Sequence, residues 1–288
     1  MTISQVKKVS VVVPNYNYAK YVGKRIDSVV RQTYPIYELI ILDDGSADES
    51  VVKINNKLEK LKVKFPELKV KFLINEKNSG KAILQWKKGF EAASGDFVWI
   101  AEADDLCSPR FLEEVMKGFD DPEVVLSYTE SAIINRIGLT IAPNFRWSRD
   151  KEKTGRYNAS YVKDGFREIE EIMAIRCTIP NVSAVVFRKK ASIPYLKYLE
   201  EASKFSQVGD WYFYSKVLNH GKISYNKKSL NKFRVHSGSK TADAKKGKEH
   251  YEEILGMHKV FAVKYNLDEF VTKRMLEEEK RVKRRVKS

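Results

Sequence analysis

Apolar positions along the first 120 residues follow strand and helix periods in alternation. Val9 to Val13 is a short, mostly β-branched run that stops at Pro14 and reads as a buried strand. Val22, Ile26, Val29 and Val30 recur at helical spacing on one face, in a segment ending near Pro35. Glu38 to Leu42 predicts a second strand, closed by the turn residues Asp43-Asp44-Gly45-Ser46. A helix from about Asp48 to Leu61 and a third strand from Val70 to Ile74 follow. Lys81 to Ala93 predicts a helix stopped by Ser94-Gly95, and Phe97 to Ala101 a fourth strand. Pro109 is expected in the first turn of another helix. Strand–helix alternation of this kind predicts an α/β fold, a mostly parallel central sheet flanked by helices. In such sheets ligands bind beyond the C-terminal ends of the strands, so the polar residues there carry the candidate chemistry.

The second half is less regular. Val124 to Tyr128 and Val182 to Phe187 read as strands, and Arg136 to Gly165 as a loop-dominated insertion. Val208 to Asn219 reads as a helix, and Lys222 to Tyr225 and Leu230 to Val235 as two strands. A helical period starts at Lys248 and carries Tyr251, Ile254, Leu255, His258, Phe261 and Tyr265. Asn266 with Glu269 resembles a capping box for a last helix. No repeat and no Gly/Ser linker forces a division of the chain.

Composition narrows the class. The 288 residues are 43% hydrophobic and 11% aromatic, which excludes a disordered chain and suffices for a sizeable core. The formal net charge of +15 points to a polyanionic partner without saying which. Cys107 and Cys177 lack metal-type spacing and are too few for a disulfide framework, so a reducing compartment is the default. The N-terminus lacks the apolar run of a signal peptide, and no apolar run approaches bilayer length. A soluble or peripheral protein is expected, cytoplasmic or on the inner face of a membrane.

Three of the expected strand ends carry distinctive polar clusters: Pro14-Asn15-Tyr16-Asn17, Asp43-Asp44-Gly45-Ser46 and Glu102-Ala103-Asp104-Asp105. Taken singly, Asp43 and Asp44 form a turn, and Asp104 and Asp105 lead into a helix. Recurrence at successive strand ends favours a site. Gathered carboxylates repel unless a cation or donor-rich ligand neutralises them. Mg²⁺ or Mn²⁺ does this while bridging carboxylates to substrate phosphates. A dinucleotide site is excluded by the absence of G-x-G-x-x-G after the first strand, and no Walker A sequence is present.

The ordered set SVVVPNYN (Ser10 to Asn17), DDGS, NEKNSGKA and SGDFVWIAEADD resembles the family 2 glycosyltransferases of GT-A (Rossmann-like) fold. Val208-Gly209-Asp210-Trp211, His220-Gly221-Lys222-Ile223 and Leu230 to His236 resemble that family's C-terminal half, so the likeness runs from about Ser10 to Ser239. It implies a GT-A domain over 1–240 and a basic, helical C-terminal extension over 241–288. It also implies inverting sugar transfer from a nucleoside diphosphate donor to a hydroxyl of a glycan or lipid-linked glycan, as in bacterial surface polysaccharide assembly. Pro14 and Tyr16 would line the nucleobase slot, and Asp44, with Asp43 beside it, would accept from a uracil- or thymine-type ring. Lys81 would reach donor phosphate. Asp104 would contact the ribose or metal region, and Asp105 would hold Mn²⁺ or Mg²⁺, with Glu102 in its outer shell. Asp210 would be the general base, and Trp211, Arg234 and His236 would contact the acceptor or pyrophosphate. Two positions depart from the family pattern: Glu102 stands where Asp is usual, and Lys87 where Asn is frequent.

The remaining candidates have plainer readings. His220, His250 and His258 have no partners at ligand spacing and read as structural. Trp86 and Trp99 fit core positions, Trp147 is either a sugar platform or a loop anchor, and Cys107 reads as packing. The basic run Arg281 to Lys287 either complements a helix dipole, docks on an anionic membrane leaflet, or leads into a further domain. Two rival functions stand beside the enzyme. One is a silent glycan-binding or scaffold module of the same fold. The other is a basic nucleic-acid binder, disfavoured because the carboxylates would repel a phosphate backbone.

Overall fold

The computed structural model describes residues 6–151, 153–236 and 247–287. The expected end of the family likeness at Ser239 and the division at 240/241 lie outside the described residues.

The first four strands form where the β-branched runs predict them: β1 (Val9–Asn15), β2 (Glu38–Asp43), β3 (Lys69–Ile74) and β4 (Phe97–Ile100). Helices α1 (Val22–Val30), α2 (Ser50–Lys64) and α3 (Ala82–Ala92) alternate with them. A two-residue strand β5 (Leu106–Cys107) and helix α4 (Phe111–Met116) follow. Pro109 precedes α4 by two residues rather than standing in its first turn, and its carbonyl accepts from Thr33 N. The sheet is completed by β6 (Val124–Ile134), β7 (Thr140–Ala142), β8 (Tyr161–Asp164), β9 (Val185–Arg188) and β10 (Lys222–Arg234).

The strand order is β3-β2-β1-β4-β9-β6-β10-β5, with β7 on β6 and β8 on β10. The pairings among β3, β2, β1 and β4 are parallel, β9 runs antiparallel to β4 and β6, and β10 is parallel to β6. Chain order reverses between β1 and β4, so a crevice opens beyond the C-terminal ends of these two strands. The two strands expected in 222–235 are one strand, whose register shifts around Asn226, Ser229 and Asn231. The exposed Lys227 and Lys228 lie at that irregularity and interrupt the hydrophobic pattern that suggested two elements. Residues 182–184 form a 3₁₀ turn ahead of β9, and their Ser183 carbonyl accepts from Trp99 Nε1 at 2.8 Å.

Both faces of the sheet are covered, which is why its central strands are continuously apolar. Val11, Val13, Leu39 and Ile41 pack with α1, α2 and α4 on one side. Val12, Ile40, Val98 and Ile100 face the other, with α3 and the helix Gly209–Leu218. The C-terminal helices Gly247–Lys264 and Glu269–Lys287 add Ile254, Met257, Phe261, Val271, Met275 and Val282 to that same core. The last helix is capped by Asp268, whose Oδ1 accepts from Val271 N at 2.7 Å, and not by the expected Asn266–Glu269 box. Among the described residues, no helix is long and apolar enough to cross a membrane.

Close packing of α3 on β1 requires Gly89: a Cβ there would lie 2.4 Å from Val12 Cγ1. Gly89→Ala is expected to lower stability by about 1–3 kcal/mol through overpacking, despite alanine's better helix propensity. Urea denaturation checks this, and an unchanged midpoint would show that α3 shifts freely.

Candidate active site

The crevice at the sheet's switch point is a cavity of about 450 Å³, within the range of small-molecule sites. The C-terminal end of β1 supplies Pro14 and Asn15, with Tyr16 and Tyr18 in the loop beyond. β2 leads into Asp44; the loop before α3 and its first two turns bring Asn78, Lys81 and Gln85; and Glu102, Asp104 and Asp105 follow β4. Ser206, Gln207, Gly209 and Asp210 close the opposite wall at the start of helix Gly209–Leu218. Seven of the residues singled out from sequence therefore share one cavity: Pro14, Tyr16, Asp44, Lys81, Asp104, Asp105 and Asp210, with Glu102 beside them.

The two aspartates of the DDGS turn differ in role. Asp43 is fully buried and does not line the cavity. Its carboxylate accepts from Asn15 Nδ2, Ser46 N and Ser46 Oγ at 2.7–2.8 Å, tying β1 to the turn after β2. The expectation that it touches the donor gives way to this structural role. Asp44 lines the cavity. Its Oδ1 accepts from Asn75 Nδ2, Ser79 N and Gln85 Nε2, and its Oδ2 from the Ser79 hydroxyl at 2.7 Å. Gly45 makes this turn feasible, with φ +71° and no room for a Cβ against the backbone of Lys77 and Asn78.

The carboxylates after β4 are held from β10. Arg234 N donates to Asp105 Oδ1 at 2.8 Å, and Arg234 Nε donates to the Asp104 carbonyl at 2.5 Å. Its Nη1 donates to the carbonyls of Asn135 and Arg136, and the guanidinium lies 4.8 Å from the Tyr21 ring centre. Arg234 is buried and absent from the cavity lining, so it clamps the aspartates instead of contacting an acceptor. His236 Nε2 lies 3.1 Å from Asp104 Oδ2, with Tyr18 and Tyr21 against its ring, so it too is engaged with the carboxylates. Burial, followed by the adjacent Asp104 charge, raises the Asp105 carboxyl well above the usual carboxylate range, against the pull of the Arg25 cation. Arg25 is fully buried, and its guanidinium carbon lies 5.0 Å from the Trp99 ring centre.

Asp210 is recessed in the cavity wall. Its Oδ1 accepts from Trp211 N at 2.7 Å, and burial raises its carboxyl to about 6. Trp211 itself is buried: its indole N–H donates to the Met173 carbonyl at 2.9 Å, and its ring packs on Phe261. Its aromatic face belongs to the core, which corrects the expectation that it contacts the acceptor. Trp86 is buried in the core, as expected, and its edge also borders the cavity and donates to Glu102 Oε1 at 2.7 Å. Glu102, the residue that departs from the family's usual Asp, thus reaches an indole across the cavity. The other departure, Lys87, pairs with Glu200 away from the lining. Trp147 is 62% exposed, His220 stacks on Tyr195, and His258 bridges Glu279 and the Ile175 carbonyl. Cys107 is buried, and burial raises its thiol, in keeping with packing.

Among the described residues, no group of three or more His, Cys, Asp or Glu is arranged to hold a metal by itself. Asp104 and Asp105 nevertheless offer adjacent hard oxygen donors, and such a pair suits Mg²⁺ or Mn²⁺, which take much of their coordination from substrate phosphate and water. The raised Asp105 carboxyl marks a place where cationic charge would be stabilising. Sequence reasoning missed Tyr18, Gln85 and Ser183. Tyr18 bonds Asp104, and Ser183 Oγ accepts from Glu102 N at 3.2 Å. Only Tyr18 had a signal, its spacing of two from Tyr16 in a strand-end loop.

Arg234→Met removes the guanidinium bonds to the Asp104, Asn135 and Arg136 carbonyls and leaves them unpaired, while the backbone bond to Asp105 remains. A loss of about 3 kcal/mol in folding stability is expected, measurable by urea unfolding.

The description "Glycosyl transferase family 2" matches residues 10–170. An uncharacterized glycosyltransferase of Nostoc sp. is 35% identical over 119 residues, 41% of this chain and 34% of that protein. Matches span about a third to a half of the first curated relatives' own length. The Staphylococcus aureus TarS fragment 1–349 in complex with UDP-GlcNAc aligns with a TM-score of 0.64 at 19% identity, over 96% of this chain and 72% of that one. The mannosyltransferase PcManGT of Pyrobaculum calidifontis, in complex with GDP-Man and Mn²⁺, aligns at 0.60 and 18%, over 97% and 70%. These two structures share the fold, and the matched stretch covers more than half of this sequence: the chain belongs to glycosyl transferase family 2.

Proposed function

We propose that this chain is an inverting glycosyltransferase. It takes a nucleoside diphosphate sugar, UDP- or dTDP-linked by preference, and passes the sugar to a hydroxyl of a glycan or lipid-linked glycan. The observation that carries the reading is the meeting of Asp44, Asp104, Asp105 and Asp210 in one cavity at the sheet's switch point. The solved relative with UDP-GlcNAc supports the uridine preference, and the one with GDP-Man and Mn²⁺ supports a metal-dependent donor.

In this reading the nucleobase lies by Pro14 and Tyr16. Asp44 Oδ2, which has one partner, accepts its ring N–H. Lys81 and the Asp104–Asp105 pair face the ribose and pyrophosphate. A divalent cation held by Asp105 and Asp104 would offset phosphate charge and ease departure of the nucleoside diphosphate. Asp210 takes the proton of the acceptor hydroxyl as its oxygen bonds to the anomeric carbon from the face opposite the leaving group. The bond from that carbon to the β-phosphate oxygen breaks, and the configuration inverts. Trp211 N–H orients Oδ1 of the base, leaving Oδ2 for the proton.

A carboxyl near 6 is ionised at neutral pH yet more basic than an ordinary aspartate, which improves proton transfer. The base form is lost as pH falls, so kcat/KM is expected to decline below about pH 6. Asp210→Asn should lower turnover of UDP-GlcNAc by ~10²–10⁴-fold while UDP affinity stays near wild type. Full activity in the variant would remove Asp210 from the chemistry. Wild-type protein that consumes no sugar nucleotide, with the variant equally silent, would favour the scaffold reading.

A further inference from the structure

The wall that presents Asp210 is held from outside its own domain segment. Glu253, on the C-terminal helix Gly247–Lys264, accepts three consecutive backbone N–H groups with one carboxylate. Ser206 N donates to Oε1 at 2.5 Å, while Gln207 N and Val208 N donate to Oε2 at 2.9 and 3.2 Å. These residues run directly into helix Gly209–Leu218, and Phe205, Ser206, Gln207, Gly209 and Asp210 all line the cavity. Val208 is the N-cap of that helix, so its N–H is a donor that helical bonding leaves unsatisfied; the Ser206 and Gln207 N–H groups lie in the loop before it, and a carboxylate there also complements the helix dipole. The flanking helix is fixed to the core by Ile254, Met257 and Phe261, the last packed on Trp211 next to Asp210. Glu253 therefore sits on a rigid mount and sets the position of a short irregular segment that has no strand to hold it.

We propose that Glu253 is a positioning residue: through the Ser206–Val208 backbone it fixes where the Asp210 carboxylate stands over the donor cavity. The C-terminal helix is thereby part of the catalytic apparatus, not an appendage to it. This rests on the reading of Asp210 as base. The cost of losing such a mount is kinetic, because a misplacement of order 1 Å in a catalytic group lowers turnover by about 10²-fold. The donor's nucleotide binds at the other wall, so its affinity should be untouched.

Charge supplies a second signature. The titratable groups coupled to Asp210 are Glu253, Cys177 from the segment preceding β9, and Tyr214 on its own helix. Burial is the main reason the Asp210 carboxyl is raised, and of these groups Glu253 is the one whose charge adds to it. Removing that charge by the conservative Glu253→Gln change is expected to displace the acid limb of the rate profile to lower pH.

The test uses the full chain with UDP-GlcNAc and Mn²⁺, following UDP release with water as acceptor, and compares Glu253→Gln, Glu253→Ala and Asp210→Asn. Glu253→Gln is expected to lower kcat about tenfold, with UDP affinity within twofold of wild type and the acid limb displaced to lower pH. Glu253→Ala should lose about 10²-fold. If Asp210→Asn is silent but both Glu253 variants keep wild-type kcat and pH profile, the positioning role is overturned while the base reading stands. If Asp210→Asn keeps activity, the base reading itself falls. Circular dichroism and the UDP titration separate a variant that has failed to fold from one that has lost its mount. Should Glu253→Ala be unfolded, Glu253→Gln alone decides.

Discussion

Negative charge gathered at one edge of a parallel sheet is the constraint on which the structure depends. Parallel strands bring their C-terminal ends to the same side, and here these ends lead into Asp43, Asp44, Asp104 and Asp105. Buried carboxylates need donors or cations. Asp43 and Asp44 obtain them from Asn15, Ser46, Asn75, Ser79 and Gln85, and the surrounding loops take their shape from those bonds. Asp104 and Asp105 are served by Arg234 at the end of β10 and by His236 just beyond it. In the proposed function, the cavity side of these carboxylates is where the donor pyrophosphate would lie.

The first half of the fold was legible because its strands are buried on both faces and its turns carry Pro, Gly and Asp at their ends. The same punctuation exposed Asp44, Asp104 and Asp105, since a polar residue at a parallel strand's C-terminal end faces the crevice by topology alone. Asp43 shows the limit of that logic: one position in sequence separates a cavity residue from a turn staple, and only the hydrogen bonds decide. Trp211 shows another. Adjacent to Asp210 in sequence, it turns away on a helix and enters the core, because neighbours along a helix point in different directions.

The less legible features depend on long-range pairing. The insertion from Arg136 to Gly165 is anchored by Glu130, which binds Arg149 and receives the Tyr225 hydroxyl at 3.0 Å, a cluster that joins three separate stretches of chain. No periodicity announces such a cluster. Glu253 likewise meets Ser206 to Val208 only because the C-terminal helix folds back onto the central core. Internal pairs such as Arg149, Arg156 and Arg176 against Glu130, Glu168 and Glu278 use one acid for each base, so they leave the net charge of +15 unchanged.

The proposed function turns on the cavity binding a nucleoside diphosphate through a divalent cation at Asp104 and Asp105. Isothermal titration of UDP, dTDP and GDP into the chain, with Mn²⁺ and again with EDTA, tests it without any acceptor. Saturable binding of UDP or dTDP with Mn²⁺ is expected, with at least a tenfold weakening in EDTA, a difference of about 1.4 kcal/mol or more. Absence of binding by all three nucleotides with Mn²⁺ present, or UDP affinity indifferent to the metal, would contradict it.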